Sequence, residues 1–463
     1  MSDQPIDPAV EAYLVRTEAE RLERLLAFVR IPSISALPEH APAMRTAAAW
    51  LADELRHIGA TDVDVATTPL HPIVTARLHE APGAPTVLVY CHYDVQPVDP
   101  LDLWENAPFE PFVRDGRIVG RGTADDKGQL VMHLSAVEAL RAVRGRLPVN
   151  ITFLFEGEEE YGSESLFDWL EPNRERLAAD LAVISDTGFF EGNVPAITVA
   201  LRGIMYAQIN VTGSPVDLHS GGYGGMVENP ANALARIITA LKGADGRVRI
   251  PGFYDDVVEL TTDERASVAA LPFDEAEFRA THQVGELVGE GGYSPLERRG
   301  ARPTLDVNGF WGGFQGDGAK TIIPAHAHAK VSTRLVADQD PEAVFAALRA
   351  YVAEIAPPGV TVDVEYIHGG RPSLTPIDHH ATQAAARALE AVFGRAPVYI
   401  REGGSIPVTS GFDHVLGLPV VLLGFAQPNA GTHAPNEWLA LENFELGTRA
   451  IVRLWDELAA TGG

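Results

Sequence analysis

The sequence predicts an α/β protein in which a mostly parallel sheet, flanked by helices, is interrupted by an inserted α+β segment. Two observations carry this. From residue 44, segments of helical period such as MRTAAAWLADELRHIG alternate with short, β-branched apolar runs bounded by turn residues, the pattern of βαβ units. Between about 202 and 372 the texture changes to alternating strands around longer helical and loop stretches, as an inserted domain would look. The expected organisation is a main domain over 1–201 and 373–463, with an inserted domain over 202–372.

The elements follow in order. Apolar residues at helical spacing predict amphipathic helices near 8–29, 128–143, 377–393 and 441–459. The runs Thr86–Cys91, Asn150–Phe155, Leu181–Ser185, Pro397–Ile400 and Pro419–Gly424 read as buried strands, because they are near-continuously apolar rather than alternating. In the insert, IMYAQINVTG, HAHAKVSTRLV and TVDVEYIHG alternate as half-buried strands do, with helices near 229–243 and 341–355. No repeat and no low-complexity tract interrupts the pattern.

Composition bounds the function. The 463 residues are 46% hydrophobic and 21% charged, which excludes a disordered or collagen-like chain and leaves room for two or three domains. Thirty-six basic against 63 acidic residues give a net charge of −27, a field that repels phosphate backbones and anionic lipid, so nucleic acid is not an expected partner. The apolar runs TVLVYC, ITFLF and PVVLLGFA fall short of the roughly 18 residues that span a bilayer, and the first residues carry no signal-peptide pattern, so no membrane association is expected. A single cysteine, Cys91, excludes an intrachain disulfide and suits a reducing compartment, so the expected location is the cytoplasm.

Candidate chemistry sits just past the predicted strands, whose C-terminal ends share one crevice in doubly wound sheets. After TVLVYC comes His92-Tyr93-Asp94: positions i and i+2 of an extended chain point the same way, so His92 can bind a metal while Asp94 accepts from its other ring nitrogen. Alone, such a pair is ordinary on a surface. Gly120-Arg121-Gly122-Thr123-Ala124-Asp125-Asp126-Lys127-Gly128 has the wrong spacing for a phosphate loop, and its acidic pair would repel phosphate; an Asp helix cap is the plainer reading. After ITFLF, Glu156, Glu158, Glu159 and Glu160 crowd four carboxylates into five residues, which is unfavourable unless solvent or cations compensate. Asp186 follows LAVIS, and Gly431-Thr432-His433-Ala434-Pro435-Asn436-Glu437 follows the last strand. Together, imidazoles and carboxylates suit a pair of divalent ions such as zinc, with manganese or cobalt as alternatives, one carboxylate bridging and one left free as a general base. No H-E-x-x-H, C-x-x-C or serine nucleophile elbow competes.

The segments HYDVQP, GRGTADDKG, EGEEEYGS, ISDTG, DLHSGGYGG, KTIIPAHAHAKVSTRLV, REGGSIP and GTHAPNE, in this order and over nearly the whole chain, resemble the di-metal aminoacylase, succinyl-diaminopimelate desuccinylase and carboxypeptidase G group, in its carnosinase-like dipeptidase branch. The resemblance implies a zinc-peptidase-like catalytic domain with an inserted dimerisation (lid) domain. It implies that His92, Asp125 and Asp186 hold one metal, that Asp125, Glu160 and His433 hold the other, and that Asp125 bridges. Glu159 is then the general base, Glu158 occupies a place the family varies, and the Asp125–Asp126 peptide is expected to be cis. His219 matches a histidine that reaches the partner subunit's site and stabilises the tetrahedral oxyanion, so a homodimer is expected. Thr321, Arg334 and Ser405 match residues that hold the substrate's C-terminal carboxylate, and His326 and His328 are expected to be structural.

The implied activity is hydrolysis of the peptide bond of dipeptides with a free C-terminal carboxylate, with two divalent metal ions per subunit. The alternatives are an N-acyl amino acid amidohydrolase of the same family and a non-catalytic metal- or peptide-binding protein. Retention of Glu159 speaks against the last, since binding alone does not require a base.

Overall fold

The structure, a computed structural model, describes residues 6–404 and 406–461. The described residues divide into two compact units, one of 6–199, 375–400 and 406–461, the other of 200–374 and 401–404.

The first unit is built on a mixed sheet. Strands run in the order Thr61–Ala66, Ile73–Leu78, Asn150–Glu156, Thr86–His92, Leu181–Ile184, Val420–Leu422, Ala196–Leu201. The four from Asn150–Glu156 to Val420–Leu422 are parallel, and those outside them pair antiparallel. Asn150–Glu156 is buried at every position, which is why the sequence there is near-continuously apolar, ITFLF, instead of alternating. One face, with Val87, Val89, Phe153 and Phe155, packs into a core with residues of helices Ala41–His57, Lys127–Arg144, His380–Phe393 and Leu441–Thr461. On the other face the ring of Tyr90 meets Phe412 edge-on, 5.4 Å between centroids.

The first helical stretch is two helices, Pro8–Arg16 and Glu18–Val29. They part at Thr17, whose φ of −101° and ψ of 11° leave the helix and whose hydroxyl donates to the Tyr13 carbonyl at 2.9 Å. The helix expected near 128–143 spans Lys127–Arg144, and Gly145 ends it in the left-handed conformation that favours glycine.

The second unit has a four-stranded antiparallel sheet in the order Thr304–Gly312, His326–Leu335, Gly203–Thr212, Thr361–Gly370. Gly203–Thr212 alternates buried and half-buried along its length, the signature of a sheet covered on one side. Met205, Ile209, Ala329 and Val331 meet Leu234 and Ile237 of helix Pro230–Leu241 and Leu348 and Val352 of helix Pro341–Ile355.

Candidate metal centre

The parallel strands end level. His92 stands opposite Glu156, Tyr90 opposite Ile184, and Leu422 opposite Ile184, so the polar residues that follow each strand emerge along one edge of the sheet. His92, fully buried, is the last residue of its strand. Asp125 lies at the end of the glycine-rich loop before helix Lys127–Arg144, joined to Asp126 by a cis peptide bond. The plainer reading of an Asp helix cap does not hold: the residue before the helix is Asp126, and its side chain makes no capping bond. Instead Asp126 is buried and accepts the backbone N–H of His92 at 3.2 Å.

The donors fall into two clusters around one carboxylate. Asp125 Oδ1 is 2.9 Å from His92 Nε2, and its Oδ2 is 3.0 Å from His433 Nε2. His92 Nε2 is also 3.6 Å from Asp186 Oδ1, and Glu159 lies within 4.8 Å of both residues' donor atoms. His433 Nε2 is 3.1 Å from Glu160 Oε2, which Gln96 Nε2 also reaches at 2.7 Å. Ligands about 2.0–2.2 Å from a tetrahedral ion stand roughly 3.3–3.6 Å apart; the His92–Asp186 separation of 3.6 Å lies in that range, and the 2.9–3.1 Å contacts to Asp125 and Glu160 are hydrogen bonds a few tenths of an ångström shorter.

Electrostatics point the same way. Burial alone would lower the His92 pKa, but hydrogen bonds to Asp125 and Asp186 outweigh it and raise it well above the usual range. His433 rises to about 10 through its bonds to Asp125 and Glu160. Asp125 is itself buried, yet the two imidazoles hold it well below the usual carboxylate range. Burial and the negative charges of Asp125 and Glu160 push Asp186 up to about 6, and burial with Asp186 and Asp125 raises Glu159 well above its ordinary value. A buried set of carboxylates that draws protons onto two histidines is short of positive charge, and divalent cations supply it. Two donor groups could therefore hold cations: His92, Glu159 and Asp186, and beside them Asp125, Glu160 and His433, with Asp125 also in contact with His92.

Asp94 does more than the H-x-D spacing suggests. His92 Nδ1 meets the Asp94 backbone carbonyl at 3.2 Å and stands 3.4 Å from Asp94 Oδ1, and the two carboxylate oxygens accept the backbone N–H groups of Glu159 at 3.3 Å and Glu160 at 3.1 Å. One residue thus orients His92, chiefly through its carbonyl, and fixes with its carboxylate the turn that carries Glu159 and Glu160. The remaining glutamates of the acidic run point elsewhere. Glu156 accepts from Tyr90 Oη at 2.5 Å and Ser163 Oγ at 3.0 Å, while Glu158 accepts the N–H groups of His71 and Ser165 at 2.8 and 3.1 Å.

Sequence reasoning did not single out Gln96 or Asp126. Both lie inside the motifs HYDVQP and GRGTADDKG, which is the signal that could have found them. His219, Thr321 and Arg334 belong to the second unit. His219 and Thr321 are exposed neighbours: His219 pairs with Ile322 in a short antiparallel ribbon, and the Ser220 N–H donates to the Thr321 carbonyl at 3.0 Å. Arg334 is half-buried on strand His326–Leu335, opposite Ile204 and Thr304. His326 and His328 share that strand, His328 stacked on Trp311 with 5.1 Å between centroids. Ser405 lies outside the described residues.

The family model of peptidase family M20/M25/M40 matches residues 88–457. Cys-Gly metallodipeptidase dug1 of Schizosaccharomyces pombe is 35% identical over 456 residues, covering 95% of this chain and 96% of its own length. Beta-Ala-His dipeptidase of Homo sapiens is 32% identical over 464 residues, covering 96% of this chain and 92% of its own. The solved structure of an M20 family metallo-carboxypeptidase, Sso-CP2 from Sulfolobus solfataricus, is similar with a TM-score of 0.81 and 32% identity, over 95% of this chain and 99% of that one.

Proposed function

The chain belongs to peptidase family M20/M25/M40, and from that membership and the geometry of the centre we propose that it hydrolyses dipeptides with a free C-terminal carboxylate. One observation carries the reading: Asp125 presents one carboxylate oxygen to each of two imidazoles, which is what a bridge between two cations requires. We take the cations to be zinc, with manganese or cobalt serving the same nitrogen and oxygen donors.

When bound, the cations would supply Lewis acidity, polarising the scissile carbonyl and making a bound water more acidic. Glu159, not assigned as a ligand, takes a proton from the attacking water as the new C–O bond forms, then gives it to the departing amine as the C–N bond breaks. Asp94 keeps His92 oriented and holds the Glu159 turn in place. We assign to His219 of the partner subunit a hydrogen bond to the tetrahedral oxygen, which makes the working unit a homodimer. Thr321 and Arg334, with Ser405, are assigned to the substrate's terminal carboxylate, which a guanidinium matches bidentately.

No helix among the described residues is long and apolar enough to cross a membrane. We place the reaction in the cytoplasm, a location suited to a lone, buried thiol at Cys91.

The test is a substrate panel after chelation and metal add-back: Xaa-Xaa dipeptides, the same dipeptides amidated at the C-terminus, longer peptides, and N-acetyl and N-succinyl amino acids. Metal-dependent cleavage of free dipeptides supports the proposal. Preference for the N-acyl amino acids would replace it with a deacylase, and no turnover on any member with two metals bound would leave a binding protein.

A further inference from the structure

One buried carboxylate outside the proposed ligand set gathers an unusual number of donors. Glu437 is fully buried. Its Oε2 accepts from Arg121 Nη1 at 2.8 Å and from the Gly122 N–H at 2.9 Å, while its Oε1 accepts the N–H groups of Ala124 at 2.9 Å and Asp125 at 3.1 Å. The backbone joins in, since the Gly120 N–H donates to the Glu437 carbonyl at 2.9 Å. An ion pair with Arg121 would satisfy the charge with one donor. Here the glycine-rich loop folds three backbone amides around the carboxylate as well, in the manner of an anion nest. Gly122 permits it: its φ of +88° is left-handed, and a Cβ there would come within 2.7 Å of Val95.

The two ends of this clamp matter. At one end the bond to the Asp125 N–H fixes the backbone of the residue that faces both imidazoles. At the other, Glu437 lies four residues beyond His433, on a turn that passes through left-handed φ at His433 and Asn436. Asp125 and His433 are 308 residues apart in the chain, yet their donor atoms stand 3.0 Å apart. Sliding one segment past the other by even half an ångström would spoil a set of donors whose ion requires bonds of about 2.0–2.2 Å.

We propose that Glu437 is a positioning residue for the second cation, locking the loop that carries Asp125 to the turn that carries His433 and so setting the spacing of their donors. The inference rests on the two-cation reading above. It assigns Glu437 no contact with substrate.

The experiment uses full-length protein stripped of metal, titrated with zinc against a chromophoric chelator and, separately, with cobalt to record its visible absorption. Glu437→Gln keeps the shape but turns an amide N–H toward the backbone donors. It is expected to melt cooperatively, to bind one zinc equivalent as the wild type does, and to bind the other roughly 10–100-fold more weakly, as losses of outer-shell partners do. The cobalt spectrum changes, and kcat falls while KM for a dipeptide holds. Two equivalents at wild-type affinity with an unchanged cobalt spectrum, and only a lower Tm, would overturn the proposal. Should Glu437→Gln not fold, Glu437→Asp, which keeps the charge but shortens its reach, is measured in the same way and supports or overturns the proposal on the same results. Failure of both to fold also overturns it, by placing the role of Glu437 in the fold. Wild-type protein that takes up fewer than two equivalents refutes the two-cation reading itself.

Discussion

Replacing Asp94 with asparagine tests whether one carboxylate holds both a ligand and the base. The Glu159 N–H donates to Oδ1 at 3.3 Å, with His92 Nδ1, bonded to the Asp94 carbonyl at 3.2 Å, 3.4 Å from the same oxygen, and the Glu160 N–H meets Oδ2 at 3.1 Å. Asparagine keeps one oxygen. It will face the Glu159 N–H and the nearby His92 ring, which turns the amide N–H₂ against the Glu160 N–H. A hydrogen bond to a charged acceptor contributes about 1.5–3 kcal/mol, and the length of these bonds argues for the lower end. The expected loss of stability in the metal-free protein is therefore about 2 kcal/mol. Because Glu160 is the residue loosened, the second cation should weaken roughly 10–100-fold, equivalent to about 1.4–2.7 kcal/mol. The turn carrying Glu159 loosens with it, so kcat falls at saturating metal. Steady-state kinetics on a dipeptide, chelator competition and urea unfolding read the three effects. Wild-type affinity for both cations together with wild-type kcat would refute the reasoning, as would a defect confined to KM.

Further outcomes are as definite. Glu159→Gln should retain both cations and lose roughly 10²–10⁴-fold in kcat, the usual contribution of a general base; metal analysis beside kinetics checks it, and near wild-type turnover removes the assignment. Chelation should lower Tm in calorimetry, because a free cation at 100 times its Kd stabilises the folded state by about 2.7 kcal/mol; an unchanged Tm would mean that the carboxylate cluster does not need cations. Mixing inactive Glu159→Gln and His219→Asn chains should restore about a quarter of wild-type activity, since half the dimers are mixed and each rebuilds one of two sites; no recovery in verified heterodimers argues against the contribution in trans. Burial, opposed by the Tyr90 hydrogen bond and reinforced by Asp94, pushes the Glu156 carboxyl up to about 8. The folded protein then keeps a proton that the unfolded chain releases near 4.5, so this contribution is full below that pH and is lost as pH rises towards 8. Relative to Glu156→Gln, the metal-free wild type should lose roughly 3–4 kcal/mol between pH 5 and 8 in urea unfolding; a difference that does not vary with pH would refute it.

Where the donors come from is written in the local pattern of the chain. Parallel strands buried on both faces must be apolar along their length, so TVLVYC, ITFLF and LAVI stand out, and the first polar residues after them are delivered to one edge of the sheet. His92, the acidic run and Asp186 were legible for that reason. The alternation in the insert likewise marked a sheet covered on one face. Which carboxylate of the run does what depends instead on the folded chain. Glu156 and Glu158 turn to Tyr90 and His71, which lie 66 and 87 residues away, while Glu159 and Glu160 are held at the centre by Asp94. Neighbouring glutamates are chemically identical until distant donors single them out. The same holds for Glu437: it closes the segment GTHAPNE, but its role arises only where a remote glycine-rich loop folds around it. Hydrophobic period is set by nearest neighbours, whereas the partners of a buried charge are chosen by the fold.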